Sequence, residues 1–250
     1  MSNNVKDLYG LIGRTLRHSA SCDYFNRKFE AAHIDAAYVN FELASIDELP
    51  AVLDANSNLR GFNVTIPYKQ EVMRYLDELD PAAKAIGAVN VVRVGNVGGR
   101  RHLKGFNSDV VGFVNSIKPL LRPSHTRALI LGTGGASRAI AYGLRSLGIE
   151  STFVSRTARQ GIITYNSLTP GIMATHTVIV NTTPAGMYPD VDSCPALPYE
   201  LVTPDHLCYD LIYNPDTTKF MRECASRGAV VKNGLEMLLL QAFESWNMWH

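Results

Sequence analysis

The chain is poor in cysteine, in excess charge of either sign and in long apolar runs, and each shortage removes a class of function. Four cysteines stand in 250 residues. They are Cys22, Cys194, Cys208 and Cys224, scattered and without a C-x-x-C pair. A disulfide framework is not expected, and a reducing compartment is favoured. The seven histidines do not cluster and no H-E-x-x-H motif occurs, so no metal site is expected. Lys and Arg number 24 against 23 Asp and Glu, a formal charge of +1. No bulk field is available to hold nucleic acid or an anionic membrane, so any anion must be bound by a local site. The run Leu238–Leu240 is too short to span a bilayer. The opening residues MSNNVKDLYGLIG lack the basic start and apolar stretch of a signal peptide. The expected setting is cytoplasmic.

What is present is an ordinary globular composition, 46% hydrophobic and 19% charged, enough for a substantial core. The length suits one large domain or two small ones. Helical and strand periodicities alternate along it. A helix is expected after Ser21, with Cys22, Phe25, Phe29 and Ala32 on one face and Ser21 as its cap. In AAYVNFEL, Ala37, Val39, Phe41 and Leu43 alternate with Tyr38, Asn40 and Glu42, the strand period. IDELPAVLDA reads as helix, GFNVTI as strand and YKQEVMRYLDEL as helix. VNVVRV and RHLKGFN flank a turn at Asn96–Gly99 and form a hairpin. The pattern predicts a mostly parallel α/β sheet with one antiparallel element. A helix over about Asp109–Leu121 leads into a second α/β unit with strands RALILG, STFVS, TVIVNT, LCYDLI and AVVKN. The last helix, LEMLLLQAFESWNMW, carries Leu235, Leu238, Leu239, Ala242 and Trp246 on its apolar side, and Trp246 and Trp249 are expected to pack internally.

The segment Leu131-Gly132-Thr133-Gly134-Gly135-Ala136-Ser137-Arg138 follows a strand and opens a helix. Glycine permits the tight turn and lets the backbone approach a pyrophosphate, and the helix N-terminus offers N–H groups and a positive dipole end. Ser137 stands where the usual fingerprint has its third glycine. The bland alternative is a structural βα turn, but strand, turn, helix and second strand arrive in the order a dinucleotide site requires. The second strand ends in Ser155-Arg156-Thr157. An NAD site has an acidic residue there for the ribose hydroxyl, whereas a guanidinium pairs with a 2′-phosphate. Arg156 therefore predicts NADP over NAD, against the reading that it is a solvated loop charge.

In the first half, LRHSAS, NVTIPYK (Asn63 to Lys69), Gly87-Ala88-Val89-Asn90 and Asn107-Ser108-Asp109 place hydroxyls, amides, a lysine and an acid at predicted strand boundaries. Each signal is weak alone. Together with GRTLRHSAS, GTGGASR, SRT, NTTPAGM, YDLIYNP and NGLEMLLLQA, in this order, they resemble the shikimate dehydrogenase family over nearly the whole chain.

The resemblance implies a two-domain α/β fold. Residues 1–108 would form a substrate domain and 109–232 a Rossmann NADP-binding domain, with 233–250 as a C-terminal helix returning to the first domain. It implies NADPH-dependent reduction of 3-dehydroshikimate to shikimate in aromatic amino acid biosynthesis, with Lys69 and Asp109 as the catalytic pair. Ser19 and Ser21 would hold the substrate carboxylate. Asn63, Thr65, Asn90, Asp109 and Gln241 would face the ring hydroxyls, and Tyr213 would line the pocket. Gly132, Gly134, Gly135, Ala136 and Ser137 would meet the diphosphate, and Ser155, Arg156 and Thr157 the 2′-phosphate. Thr182, Thr183, Met187 and Gly234 would lie nearer the nicotinamide. An ammonium at Lys69 suits the chemistry, since it stabilises charge growing on a ketone oxygen and supplies the proton. Departures from the family pattern include Thr15 and Cys22 for prolines, NSD for NTD, SRT for NRT, Glu236 for glycine, and Arg159 one place off register. Three alternatives stand beside this reading: a quinate enzyme of the same family using NAD, a non-catalytic shikimate-binding homologue, and a folate-linked dehydrogenase. The last is a poor fit to the serine loop and NSD. Oligomeric state is left open between monomer and homodimer.

Overall fold

A computed structural model describes residues 6–16 and 20–250. These fall into two compact units, one comprising the chain up to Ser108 together with Ala242–His250, the other Asp109–Gln241.

The first unit holds a six-stranded sheet of β1 (Asp7–Gly13), β2 (Ala36–Glu42), β3 (Leu59–Val64), β4 (Glu78–Leu79), β5 (Val91–Val97) and β6 (Arg100–Phe106). Its order is β2-β1-β3-β5-β6-β4. Strands β2, β1 and β3 run parallel, and β5 enters antiparallel to β3 and pairs antiparallel with β6 through the turn at Gly98 and Gly99. The helices are α1 (Ala20–Ala31), α2 (Leu49–Ala55) and α3 (Pro81–Ile86). Alternation along β2 sorts the faces as its sequence predicts. Ala37, Val39 and Phe41 join a core with Leu49 and Leu53 of α2 and Ala83 of α3. Tyr38 turns to the opposite face, among Phe25 and Phe29 of α1 and Trp249. A sheet buried on both faces cannot slip by one residue without exposing a whole row of apolar groups, and each fully buried Leu, Ile or Phe contributes roughly 1.5–3 kcal/mol.

Two local expectations fail here. The helix expected over YKQEVMRYLDEL is a short 3-10 turn, Glu71–Tyr75, followed by the edge strand β4. The chain leaves helical geometry because Asp77 and Asp80 donate their N–H groups to Leu103 and Gly105, while the Asp77 carboxylate accepts from the Leu103 N–H. Pairing along β6 overrides the weak helical period. Ser21 is not a cap, because α1 begins at Ala20 and so places Ser21 inside its first turn.

The second unit holds six parallel strands, β7 (Arg127–Leu131), β8 (Glu150–Ser155), β9 (Ile162–Thr164), β10 (Val178–Asn181), β11 (Leu207–Asp210) and β12 (Val230–Lys232). Read from the β9 edge, the order is β9-β8-β7-β10-β11-β12. This is the doubly wound dinucleotide-binding order, with its switch point between β7 and β10. Helices α4 (Asp109–Ile117), α5 (Gly135–Ser146), α6 (Pro170–Thr175) and α7 (Lys219–Ala225) cover the faces. Leu129 and Leu131 of β7 point toward Met173 of α6 and Phe220 of α7, whereas Ala128 and Ile130 point toward Phe113 of α4 and Ile140 of α5. Both faces are buried, which is why RALIL reads as a continuous apolar run.

The boundary between the units falls within α8 (Leu235–Trp249). Its buried positions are Met237, Ala242, Ser245 and Trp249, while Leu235 and Leu239 are exposed. The apolar face expected from the sequence is therefore rotated. The helix is apolar nearly all round along Leu235–Leu240, so periodicity alone does not fix its orientation. Trp246 and Trp249 both pack internally, onto Tyr9 and its neighbours. Among the described residues no helix is long and apolar enough to cross a membrane.

Candidate active site

In the first unit the polar positions singled out in the sequence gather where β3 ends and β5 begins. Asn63, the penultimate residue of β3, is buried, and its carboxamide is committed in three directions. Oδ1 accepts the Tyr38 hydroxyl at 2.8 Å, and Nδ2 donates to the Asn90 carbonyl at 3.1 Å and to Ser245 Oγ at 2.9 Å. Both amide hydrogens are thus spent, so any further bond to Asn63 must be one that Oδ1 accepts. Asn90 precedes β5 and fixes the start of the Ser108 segment. Its Oδ1 accepts the Ser108 N–H at 2.7 Å, and its Nδ2 lies 3.1 Å from Ser108 Oγ, which is 3.2 Å from Ser245 Oγ. Thr65 follows β3, its N–H donating to Ile12 and its carbonyl accepting from Tyr68. Lys69 is half-buried, and its carbonyl accepts the Val89 N–H at 2.7 Å, one residue before Asn90. The backbone therefore brings Asn63, Thr65, Lys69 and Asn90 to one region. Ser21 is half-buried in the first turn of α1. Ser19 lies outside the described residues.

Tyr38 and Ser245, neither singled out from sequence, join Ser108 in tying this region together by hydrogen bonds. Tyr38 read as one more alternating strand residue, and Ser245 as one polar position in a long apolar helix. Burial pushes the Tyr38 phenol well above its ordinary range, so it remains a donor throughout the physiological range.

In the second unit Asp109 opens α4 and is buried. Gln241 is half-buried on α8, its Nε2 donating to the Leu238 carbonyl at 3.1 Å, and Tyr213 is exposed in the loop after β11. The dinucleotide turn is built at the switch point. Gly132 has φ +109°, and a Cβ there would stand 2.7 Å from Thr182 Oγ1. The Gly132 N–H donates to Val154 of β8, and Thr182 gives both its N–H and its hydroxyl to the Leu131 carbonyl. The ends of β7, β8 and β10 are tied into one rim. Helix α5 then starts with Gly134 as its N-cap and no side-chain cap bond, so the first-turn N–H groups of Gly135 and Ala136 are not shielded by a capping side chain. A Cβ at Gly134 would meet nothing within 4 Å, so there is open space above the turn. Uncapped donors facing open space fit a pyrophosphate. Ser137 is buried and its hydroxyl donates to the Gly134 carbonyl at 2.6 Å, closing the turn on itself. Ser155 ends β8, and Arg156 and Thr157 beyond it are exposed.

The loop after β10 carries Thr183, half-buried, and Met187, exposed. Gly234 is buried, and its residue type has a packing reason: a Cβ would overlap the Leu211 carbonyl. Two polar residues that the sequence reading passed over, Asn181 and Asp210, end the apolar strands β10 and β11 and hydrogen-bond to each other at 3.0 Å. A polar residue closing an otherwise apolar strand (VIVN, LCYD) was the available signal.

Comparison with known proteins gives three kinds of match. A family profile described as the shikimate dehydrogenase substrate binding domain matches residues 11–92. The NADP-linked shikimate dehydrogenase of Carboxydothermus hydrogenoformans is 38% identical, covering 98% of this chain and 92% of its own. The Thermus thermophilus shikimate 5-dehydrogenase, solved with NADP(H) and shikimate, superposes with a TM-score of 0.84 at 31% identity, covering 97% of this chain and 93% of its own. A quinate dehydrogenase from Corynebacterium glutamicum, solved with NAD, superposes with a TM-score of 0.85 at 26% identity, covering 98% and 94%.

Proposed function

This chain belongs to the shikimate dehydrogenase family, and from that premise we propose that it catalyses the reversible, NADP-dependent reduction of 3-dehydroshikimate to shikimate. The observation that carries the proposal is kinship along nearly the whole chain with NADP-linked enzymes of this activity. The uncapped glycine turn at the switch point of the second unit supports it. The step belongs to aromatic amino acid biosynthesis. With all four cysteines free, the setting proposed is the cytoplasm.

In this reading residues 1–108 bind the substrate, 109–232 the cofactor, and 233–250 form the returning helix. Lys69 donates a hydrogen bond to the substrate ketone oxygen and gives up its proton as the alcohol forms. Asp109 orients that ammonium and the product hydroxyl, completing a general acid/base pair. Ser19 and Ser21 hold the carboxylate. Thr65, Asn90 and Gln241 meet ring hydroxyls, and Asn63 does so only as an acceptor, because its amide hydrogens are already placed. Tyr213 closes the pocket edge. The first-turn N–H groups of α5, with Gly132 to Ser137, hold the cofactor's diphosphate, and Ser155, Arg156 and Thr157 hold its 2′-phosphate. Thr182, Thr183, Met187 and Gly234 sit toward the nicotinamide. When bound, NADPH supplies the hydride.

The quinate enzyme remains the second reading because its fold superposes equally well. Arg156 opposes it, since a guanidinium serves a 2′-phosphate and not a free ribose hydroxyl. The deciding measurement is kcat/KM for shikimate and quinate, each with NADP and NAD, followed by the ultraviolet absorbance of the reduced cofactor. Shikimate with NADP is expected to lead. A lead for quinate with NAD overturns the proposal, and shikimate binding without any turnover makes the chain a binding protein.

A further inference from the structure

Asp210 is the least expected charge in the second unit. It is fully buried at the end of β11, one strand away from the switch point. Three donors converge on it. Oδ1 accepts from Asn181 Nδ2 at 3.0 Å and from the Ile212 N–H at 3.1 Å, and Oδ2 accepts the Thr218 hydroxyl at 2.6 Å. Asn181 passes the arrangement on. Its Oδ1 accepts both the N–H of Thr183 at 3.0 Å and the Thr183 hydroxyl at 2.7 Å. The Thr183 hydroxyl oxygen in turn accepts the Ala185 N–H at 3.3 Å. Thr182, beside it, is bonded to the carbonyl from which the glycine turn springs.

An ionised carboxylate only accepts and the Thr183 N–H only donates, so between them they hold Asn181 with its NH₂ toward Asp210 and its oxygen toward Thr183. From this we infer that Asp210 is a positioning residue for the cofactor: through the Asn181 carboxamide it holds Thr183 and the turn after β10 in the shape that NADP binding requires. The inference rests on the proposed reading of that turn as the nicotinamide-side wall. A protonated acid or an amide at position 210 still turns Oδ1 to the Ile212 N–H and to Asn181, but as a neutral and weaker acceptor, so its hold on the Asn181 carboxamide loosens. Burial pushes the Asp210 carboxyl up to about 6, against the three hydrogen bonds, so this hold weakens as the pH falls through that value. The groups facing it are Asn181 from β10, the Ile212 N–H after β11 and Thr218 before α7, and none of them titrates.

The test is calorimetric binding of NADP to the whole protein across about pH 5–8, for wild type, Asp210→Asn and Thr218→Val. The 2′-phosphate of NADP titrates in the same range, so the informative quantity is the ratio of Kd between variant and wild type at each pH. Asp210→Asn is expected to bind about ten-fold more weakly at pH 8, with the ratio closing toward one at pH 5, where wild type carries a neutral acid. A ratio that stays constant with pH marks a merely structural role and overturns the inference, as does a ratio near one at pH 8. Thr218→Val loses a donor that favours the anion, so its weakening is expected to set in at higher pH than in wild type. An unmoved onset overturns the inference even if Asp210→Asn does not fold. Because binding is read without turnover, NADP binding without shikimate oxidation sinks the proposed activity and leaves this result standing. No binding by wild type sinks both.

Discussion

Tyr38 donates a hydrogen bond from its hydroxyl to Asn63 Oδ1 at 2.8 Å, and both side chains are buried in the first unit. The bond sets which end of the Asn63 carboxamide faces which neighbour, and so whether Asn63 meets a ring hydroxyl as acceptor or donor. Tyr38→Phe keeps the ring stacked on Phe25, whose centroid is 4.7 Å away, and removes only the donor. A buried acceptor that loses its partner costs about 1–3 kcal/mol, to be read as a lowered urea midpoint. The KM for shikimate is expected to rise several-fold while kcat stays within about two-fold, since the loss is in ground-state orientation. Unchanged stability and KM together would show that the hydroxyl bond does not position Asn63.

Much of this fold could be read from sequence because its signals are local. RALIL announces a strand buried on both faces, and Gly132 directly after it announces a turn that only glycine permits there, as its φ of +109° bears out. The alternation in AAYVNFEL sorted β2 correctly between two cores. Elsewhere the deciding interactions were distant in sequence. Residues 77–80 follow β6 because of bonds to Leu103 and Gly105, more than twenty positions away, which no local period encodes. Helix α8 offers apolar residues on every side, so its buried face is chosen by Tyr9 and Gly61 at the far end of the chain. The roles proposed for the site residues rest on family motifs alone. Their supporting partners Tyr38, Ser245, Asn181 and Asp210 become visible once side chains are placed.

Lys69→Ala separates chemistry from binding. The ammonium's proposed work is on charge that develops during reaction, so kcat is expected to fall by about 10²–10⁴ with a modest change in KM. Initial-rate kinetics with both substrates varied give the split. Near-normal turnover would remove Lys69 from the catalytic pair and with it the role given to Asp109.

The two glycines of the cofactor turn should fail in different ways. Ala at 132 must adopt φ near +109° and place its Cβ 2.7 Å from Thr182 Oγ1. Strain of this kind costs about 1–3 kcal/mol before any clash, so Gly132→Ala is expected to lower both the denaturation midpoint and NADP affinity. Gly134 has φ −78°, which any residue tolerates, and a Cβ there meets nothing. Gly134→Ala is therefore expected to fold with a loss of at most about 1 kcal/mol from the weaker N-cap, yet to bind NADP about ten-fold more weakly. Undiminished NADP affinity in that variant would move the diphosphate elsewhere.

Trp249 closes the aromatic face of the first unit. Its ring centroid lies 4.8 Å from that of Tyr9 and 5.2 Å from that of Phe25, and it covers Gly61 so closely that any side chain there would collide with it. Trp249→Ala is expected to cost about 3–5 kcal/mol, measured by chemical denaturation. The indole N–H is buried and makes no hydrogen bond among the described residues. Trp249→Phe discards that unpaired donor along with part of the ring, so its cost should be well under half that of alanine. Equal losses for both variants would mean that the hydrogen-bonding potential of the indole is satisfied in solution.

Asp210 carries a stability cost that grows as the pH rises. Its carboxyl stands near 6 in the folded chain against an ordinary 3.8. Between those values the folded chain binds more protons than the unfolded one, so this group's contribution to stability falls as pH rises through the window. Above about pH 6 the penalty is complete and corresponds to roughly 3 kcal/mol; below the ordinary value it vanishes. Asp210→Asn keeps the shape and removes the charge. It should be more stable than wild type by roughly 1–3 kcal/mol at pH 8, with the gain shrinking toward zero at about pH 4. Urea denaturation at the two pH values reads the difference. A variant that gains stability while losing cofactor affinity would show a buried carboxylate kept for what it orients, since uncharged alternatives of the same size hold the fold at least as well. A variant destabilised equally at both pH values would instead make Asp210 part of the packing alone.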